Sequence, residues 1–150
     1  MSDNWLIFIP DDPSLQPAMA AADEAVTLLR AFVPAASEVA AKFTDDIEFH
    51  NGGENWSGVV KCSNCDAEIE DWWIEAMEKA YASEFNDINV VVPCCGQAMS
   101  LNNLNYEWPA GFSRFRLEAM NPRIRDTTPE QDRALADALG FGLRKIWMHI

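Results

Sequence analysis

Four cysteines, set as CSNC at 62–65 and as CC at 94–95, constrain this 150-residue chain more than any other feature. Each pair follows a short β-branched run, VVK (59–61) before the first and VVVP (90–93) before the second, and Gly96 follows the second pair. A Cys-x-x-Cys turn folds both thiols toward one point. Strand ends brought side by side would then gather all four sulfurs, so the spacing predicts one tetrahedral metal site built from residues 59–66 and 90–97. Zinc suits such a donor set. Its bonds to thiolate sulfur, about 2.3 Å long, leave neighbouring sulfurs just under about 4 Å apart.

The adjacent pair is the harder half. Successive residues of an extended strand point to opposite faces, so Cys94 and Cys95 share an ion only if the chain turns near them, and Gly96 permits that turn. Without it, His50 or His149 would supply the fourth ligand. The expected set is Cys62, Cys65, Cys94 and Cys95 around one structural Zn2+. Closing the site over the intervening residues 66–93 would make metal binding part of folding.

These residues resemble zinc-ribbon and zinc-knuckle proteins, in which two cysteine turns on strand ends grip one ion. The resemblance covers about residues 59–97. It departs from the usual pattern by closing the second pair to CC and by placing a whole helix between the pairs. The flanking ENWSG and LNNLNYEWPAGF stretches are similar to those of small, uncharacterised bacterial proteins with such a zinc site, which implies a zinc role without implying an activity. The competing chemistry is thiol–disulfide exchange by Cys62 and Cys65. That reading takes CSNC to stand at the amino end of a helix, where the dipole lowers a thiol's pKa.

Compartment and charge narrow the function. No apolar run approaches the roughly 20 residues of a membrane span, and the start, MSDNWLIFIPDD, carries acids where a signal peptide carries bases. A cytoplasmic protein is expected, and thiols kept reduced there read as metal-binding or catalytic before they read as disulfides. The net charge of −13 is concentrated: residues 45–87 hold twelve acids and two bases, whereas 112–150 are slightly basic. Such a surface repels phosphate backbones, which argues against nucleic acid and for a basic protein partner. A small acidic zinc-binding protein of inhibitor, immunity or regulatory type is the expected function, with the acidic 66–87 helix as the contact face. Self-association is the other partner reading, through Arg114, Arg116, Arg123 and Arg125 against the acidic region of a second copy.

Apolar periodicity predicts a single α+β domain over 1–150, with a mixed or antiparallel sheet, three to four helices and one cysteine knuckle. WLIFIP (5–10) reads as a buried strand and Pro17–Val33 as a helix that Pro34 breaks, with a shorter helix running on to Phe43. IEFH (47–50) reads as a strand entering a glycine- and asparagine-rich loop. Ile69, Trp72, Trp73, Ala76, Met77, Ala80 and Tyr81 recur on one face of a helix starting near Asp66, with Glu68, Glu70, Asp71, Glu75 and Glu78 on the others. INVVVP (88–93) is a strand, 100–111 turns and an edge segment, and 112–120 a half-exposed strand.

Thr128-Pro129-Glu130-Gln131 forms a capping-box start for the last helix, and Gly140 stops it. LRKIWMHI (143–150) is read as a final strand, with continuation of the helix as the alternative. Asp45, Asp46, Glu48 and His50 could in principle bind metal or act as acid and base, but strand alternation makes them a solvated polar face. There is no GxxxxGK[ST], GxSxG or HExxH, so no catalytic residue is assigned and an enzyme is not expected.

Overall fold

In the computed structural model, which describes residues 2–150, the elements run β1 (Asn4–Pro10), α1 (Met19–Phe32), β2 (Glu38–His50), β3 (Val60–Lys61), α2 (Glu70–Tyr81), β4 (Asn89–Val91), β5 (Ala98–Ser100), β6 (Asn105–Tyr106), β7 (Gly111–Met120), α3 (Pro129–Leu139) and β8 (Leu143–His149). A 3-10 turn over Leu101–Asn103 sits between β5 and β6. The fold class is α+β with three α-helices and antiparallel sheets.

Four strands form the main sheet in the order β2-β7-β1-β8, every neighbour antiparallel. Taken with α1 and α3, this is the β-α-β-β-α-β connectivity of a split βαβ, or ferredoxin-like, sheet. Its β2–β7 hairpin is opened to admit residues 51–110. One face of the sheet, carried by Leu6, Phe8, Phe115 and Leu117, packs on Ala22, Ala25 and Leu29 of α1 and on Leu135 and Leu139 of α3. Ile7, Ile9 and Ile146 are buried on the opposite face.

Local sequence explains the two framing helices. The alanines of α1 let it lie close to the sheet, and Pro34 follows its capping residue Val33, whose N–H still reaches the Leu29 carbonyl at 2.9 Å. At the start of α3, the Thr128 Oγ1 accepts from the Gln131 N–H at 3.1 Å, and the Gln131 side chain accepts from the Thr128 N–H at 3.0 Å. Gly140 ends α3 with φ +91°, a conformation that glycine adopts without strain. The chain from Leu143 then forms a strand, as read from the sequence.

Three expectations are corrected. Residues 38–43 are strand, not a short helix: Val39 and Phe43 pair with Ala119 and Phe115 across β7, and that long-range partner outweighs the helix preference of EVAAK. The polar face of β7 is more deeply covered than a half-exposed strand implies, since β7 lies between β1 and β2 and Glu118 is 8% exposed. The helix near Asp66 begins only at Glu70, because residues 62–69 fold into a hairpin first.

The 51–110 insert has its own core of Val60, Ile69, Ile88, Val92, Leu101 and Tyr106, and joins the sheet through Phe49 and Phe112, whose ring centroids lie 4.8 Å apart. Trp73 points into this seam and donates from Nε1 to the Tyr106 hydroxyl at 3.2 Å, which in turn donates to the Leu101 carbonyl at 2.7 Å. Buried Asn102 closes the far end. It donates to the Asp11 carbonyl at 3.0 Å and accepts from the Phe112 N–H at 2.9 Å and from Arg144 Nη1 at 3.2 Å. Among the described residues no helix is long and apolar enough to cross a membrane.

Candidate metal centre

Both cysteine pairs sit in tight turns, not in strands. In the first turn the Cys62 N–H donates to the Ala67 carbonyl and the Asp66 N–H to the Cys62 carbonyl, each at 2.9 Å, while Ile69 N–H returns to Val60 at 3.0 Å. Asp66 makes this possible by adopting φ +64°. Thirty positions on, the Val92 N–H donates to the Gln97 carbonyl at 3.1 Å and the Gly96 N–H to the Val92 carbonyl at 2.9 Å, with Gly96 at φ +71°. One hydrogen-bond scheme therefore builds both turns. Val92 corresponds to Cys62, Cys94 to Asn64, Cys95 to Cys65 and Gly96 to Asp66.

That turn removes the difficulty of adjacent thiols pointing apart. The strands before the pairs do not, however, lie side by side: β3 pairs with β6 and β4 with β5, in separate two-stranded sheets. The pairs meet because the two hairpins share the core that buries Val60, Cys62 and Val92.

The four Sγ atoms all lie within 4.8 Å of one another. Cys62 Sγ is 3.8 Å from Cys95 Sγ, and Cys65 Sγ 3.3 Å from Cys94 Sγ. These separations bracket the value of just under about 4 Å that sulfurs take around one tetrahedral zinc. All four are free thiols; Cys62 is buried and the other three are exposed. The Asn64 N–H points at Cys62 Sγ and its side-chain Nδ2 at Cys95 Sγ, both at 3.4 Å, an outer layer of donors of the kind that orients metal-bound thiolates. The donor set, its spacing and these amides fit a metal ion held by Cys62, Cys65, Cys94 and Cys95.

Neither histidine belongs to the cluster. His149 Nδ1 lies 2.7 Å from Asn4 Oδ1 and its Nε2 3.3 Å from Glu54. His50 lines a cleft on the sheet with Trp5, Arg116, Glu118 and Met148. Burial and the Arg116 charge push its pKa down to about 4. The four thiols are the one potential metal-binding cluster of His, Cys, Asp and Glu among the described residues.

The electrostatics of the cluster favour one thiolate first. The Cys65 backbone N–H, and less strongly that of Asn64, lowers the Cys62 pKa to about 7 against the opposing cost of burial. Desolvation and hydrogen bonds to the neighbouring thiols raise Cys94 to about 12. Amide donors within the turn, not a helix end, activate Cys62, since α2 starts five residues beyond Cys65. The helix-dipole ground for reading Cys62 and Cys65 as a redox pair is therefore absent.

The remaining sequence candidates are scattered or engaged. Arg116 is ion-paired to Glu118 at 2.8 Å and to Glu48 at 3.3 Å, which removes it from any free basic strip, and Arg123 hydrogen-bonds the Ala35 carbonyl. Asp46 instead meets Glu84, whose pKa it raises by sharing a hydrogen bond. Sequence reasoning missed that carboxylate pair, which no local spacing announces, and it missed the correspondence of Val92 with Cys62. The second had a readable signal, since VPCCG and CSNCD align without a gap once Gly96 is matched to Asp66.

Comparison with protein-family models, with curated proteins and with solved structures finds no match to this chain.

Proposed function

We propose that this chain is a small acidic zinc protein whose metal is structural and whose work is done through contact with a basic protein partner, in the manner of an inhibitor, immunity or regulatory protein. The observation that carries the reading is the convergence of Cys62, Cys65, Cys94 and Cys95 from two separate hairpins of one insert. A bound zinc would cross-link two short hairpins that otherwise meet only through the core they share around Val60 and Val92, so its binding energy becomes folding energy of the insert. Four thiolates and one Zn2+ would also take the formal charge from −13 to −15.

The insert carries what a partner would meet. Glu68, Asp71, Glu75 and Glu78 are exposed on or beside α2, and so are Ile74, Tyr81 and Val91, large apolar side chains left in water among acids. Apolar contacts ringed by like charge are the composition of an interface that selects an oppositely charged protein. The reading takes the protein to be cytoplasmic, where thiolates stay reduced.

Elemental mass spectrometry of untagged protein, with a free-thiol count on the same sample, tests the metal. One zinc per chain and thiols protected until denaturation are expected. Absence of metal with freely reactive Cys62 and Cys65 would overturn the structural zinc and move the protein to thiol–disulfide chemistry. Reversing Glu68, Glu75 and Glu78 to lysine should abolish capture of the native partner without changing zinc content.

A further inference from the structure

β4 is a strand with one empty side. Its register pairs Asn89, Val90 and Val91 with Ser100, Met99 and Ala98 of β5. The flanking bonds, Leu101 N–H to Ile88 at 2.8 Å and Val92 N–H to Gln97 at 3.1 Å, show that even-numbered residues turn their backbone groups toward β5. Asn89 and Val91 therefore turn theirs away. The Asn89 N–H is taken by Asp87 Oδ1 at 3.2 Å, which leaves the Asn89 carbonyl and both backbone groups of Val91 on the open edge. Sheet edges are commonly protected by lysine or proline within the strand; β4 has neither, and the Val91 side chain is 62% exposed.

Beside β4 lies α2, and between them runs a groove of about 460 Å³. Trp72, Ala76 and Ala80 give the helix side an apolar floor, while Glu75 and Asp87 set carboxylates along it and Lys79 is its one base. The groove lies in or beside the segment 45–87, where twelve acids face two bases.

We propose that this groove takes an extended, basic peptide segment, which adds to β4 as a strand through the backbone groups of Val91 and Asn89 and sets a lysine or arginine against Glu75. The proposal rests on the reading of a basic protein partner and names how that partner is held. Main-chain pairing supplies affinity in strand addition, and alternate side chains supply choice. Here one set of alternate side chains would lie on Trp72 and Ala76, and the other would meet water and the surrounding acids.

The test is titration of isotope-labelled, zinc-loaded full-length protein with the peptide acetyl-Lys-Val-Lys-Val-Lys-Val-amide, followed by amide and indole NMR signals. Saturable shifts at Val91, Asn89 and the Trp72 indole are expected, with at least fivefold weaker binding for Glu75→Lys and for Val91→Pro, which removes the edge N–H. Zinc content of each variant must match the parent. Shifts spread over the whole acidic surface, or equal affinity for Val91→Pro, would overturn the groove. If Val91→Pro captures the native partner as the parent does while the Glu68→Lys/Glu78→Lys variant, altered outside the groove, does not, the groove fails and the acidic-face reading stands. If neither variant changes capture, both fail.

Discussion

Val92 occupies in the second cysteine turn the place that Cys62 occupies in the first: the Gly96 N–H reaches the Val92 carbonyl, and the Asp66 N–H the Cys62 carbonyl, at the same 2.9 Å. Both side chains are buried, to 0% and 1% exposure. The second turn therefore lacks the thiol at its first position and supplies Cys94 from its exposed tip instead. Cys94→Ala should weaken metal binding by at least about tenfold, the scale on which even outer-shell losses are felt. Adding Val92→Cys in that background should restore it, because the backbone there already has the geometry of Cys62. Competition for Co2+ or Zn2+ against a chromophoric chelator reads both steps; a double variant no better than Cys94→Ala would refute the correspondence.

Loss of metal should loosen the insert and spare the sheet. Val60, Ile88 and Val92 pack in a cluster of their own, whereas Leu6, Phe8 and Leu117 are held by α1, α3 and the antiparallel ladder. Local opening follows such boundaries. Chelation, or Cys62→Ser, should speed amide exchange across 60–106 by at least about tenfold while β1 and β7 keep their protection. Hydrogen-exchange mass spectrometry decides it. Uniform acceleration along the chain would mean that insert and sheet unfold as one unit.

Much of the frame was legible because its signals are local. Thr128, Pro129 and Gln131 announce α3 within four residues, and the apolar run 5–10 announces β1. The cysteine cluster was legible for the same reason, since a Cys-x-x-Cys turn carries its geometry with it. What escaped depends on partners distant in sequence. EVAAKF reads as helix until Val39 and Phe43 meet Ala119 and Phe115, and Glu118 reads as a surface residue until the neighbours of β7 cover it. The start of α2 escaped for a different reason. Asp66 and Glu68 look like acids of a first helical turn, but Asp66 takes φ +64° to close the cysteine hairpin. The open groove beside β4 was not legible at all, because an unpaired edge is a property of the assembled sheet.

Acid should destabilise the fold partly through His50. Its pKa falls from an ordinary 6.5 to about 4, through burial first and the Arg116 charge second. Neutral His50 is thus favoured by folding: the contribution is fully present above pH 6.5 and is lost as pH falls through about 4. The span corresponds to about 3 kcal/mol at most. Urea midpoints of metal-free protein between pH 7 and 4 should decline less steeply for His50→Gln than for the parent, the metal-free state keeping thiolate protonation by zinc release out of the comparison. Parallel curves would mean that His50 is hydrated in solution.

Arg116 and Glu118 form the pair whose disruption should reveal how dry the helix-free face of the sheet is. Arg116 Nε donates to Glu118 Oε2 at 2.8 Å, with the Glu118 side chain 11% and that of Arg116 24% exposed. Trp5, Ile7 and Met148 line the same cleft, so a carboxylate left alone there loses its guanidinium donor beside apolar side chains. Removing one partner of a buried pair costs far more than replacing both by apolar groups. Arg116→Met should therefore lower stability by roughly 3 kcal/mol, and Arg116→Met/Glu118→Leu should return most of that loss. Equilibrium denaturation of the parent, both single variants and the double variant gives the coupling directly. A single-variant loss below about 0.5 kcal/mol would show instead that the pair behaves like one at an open surface.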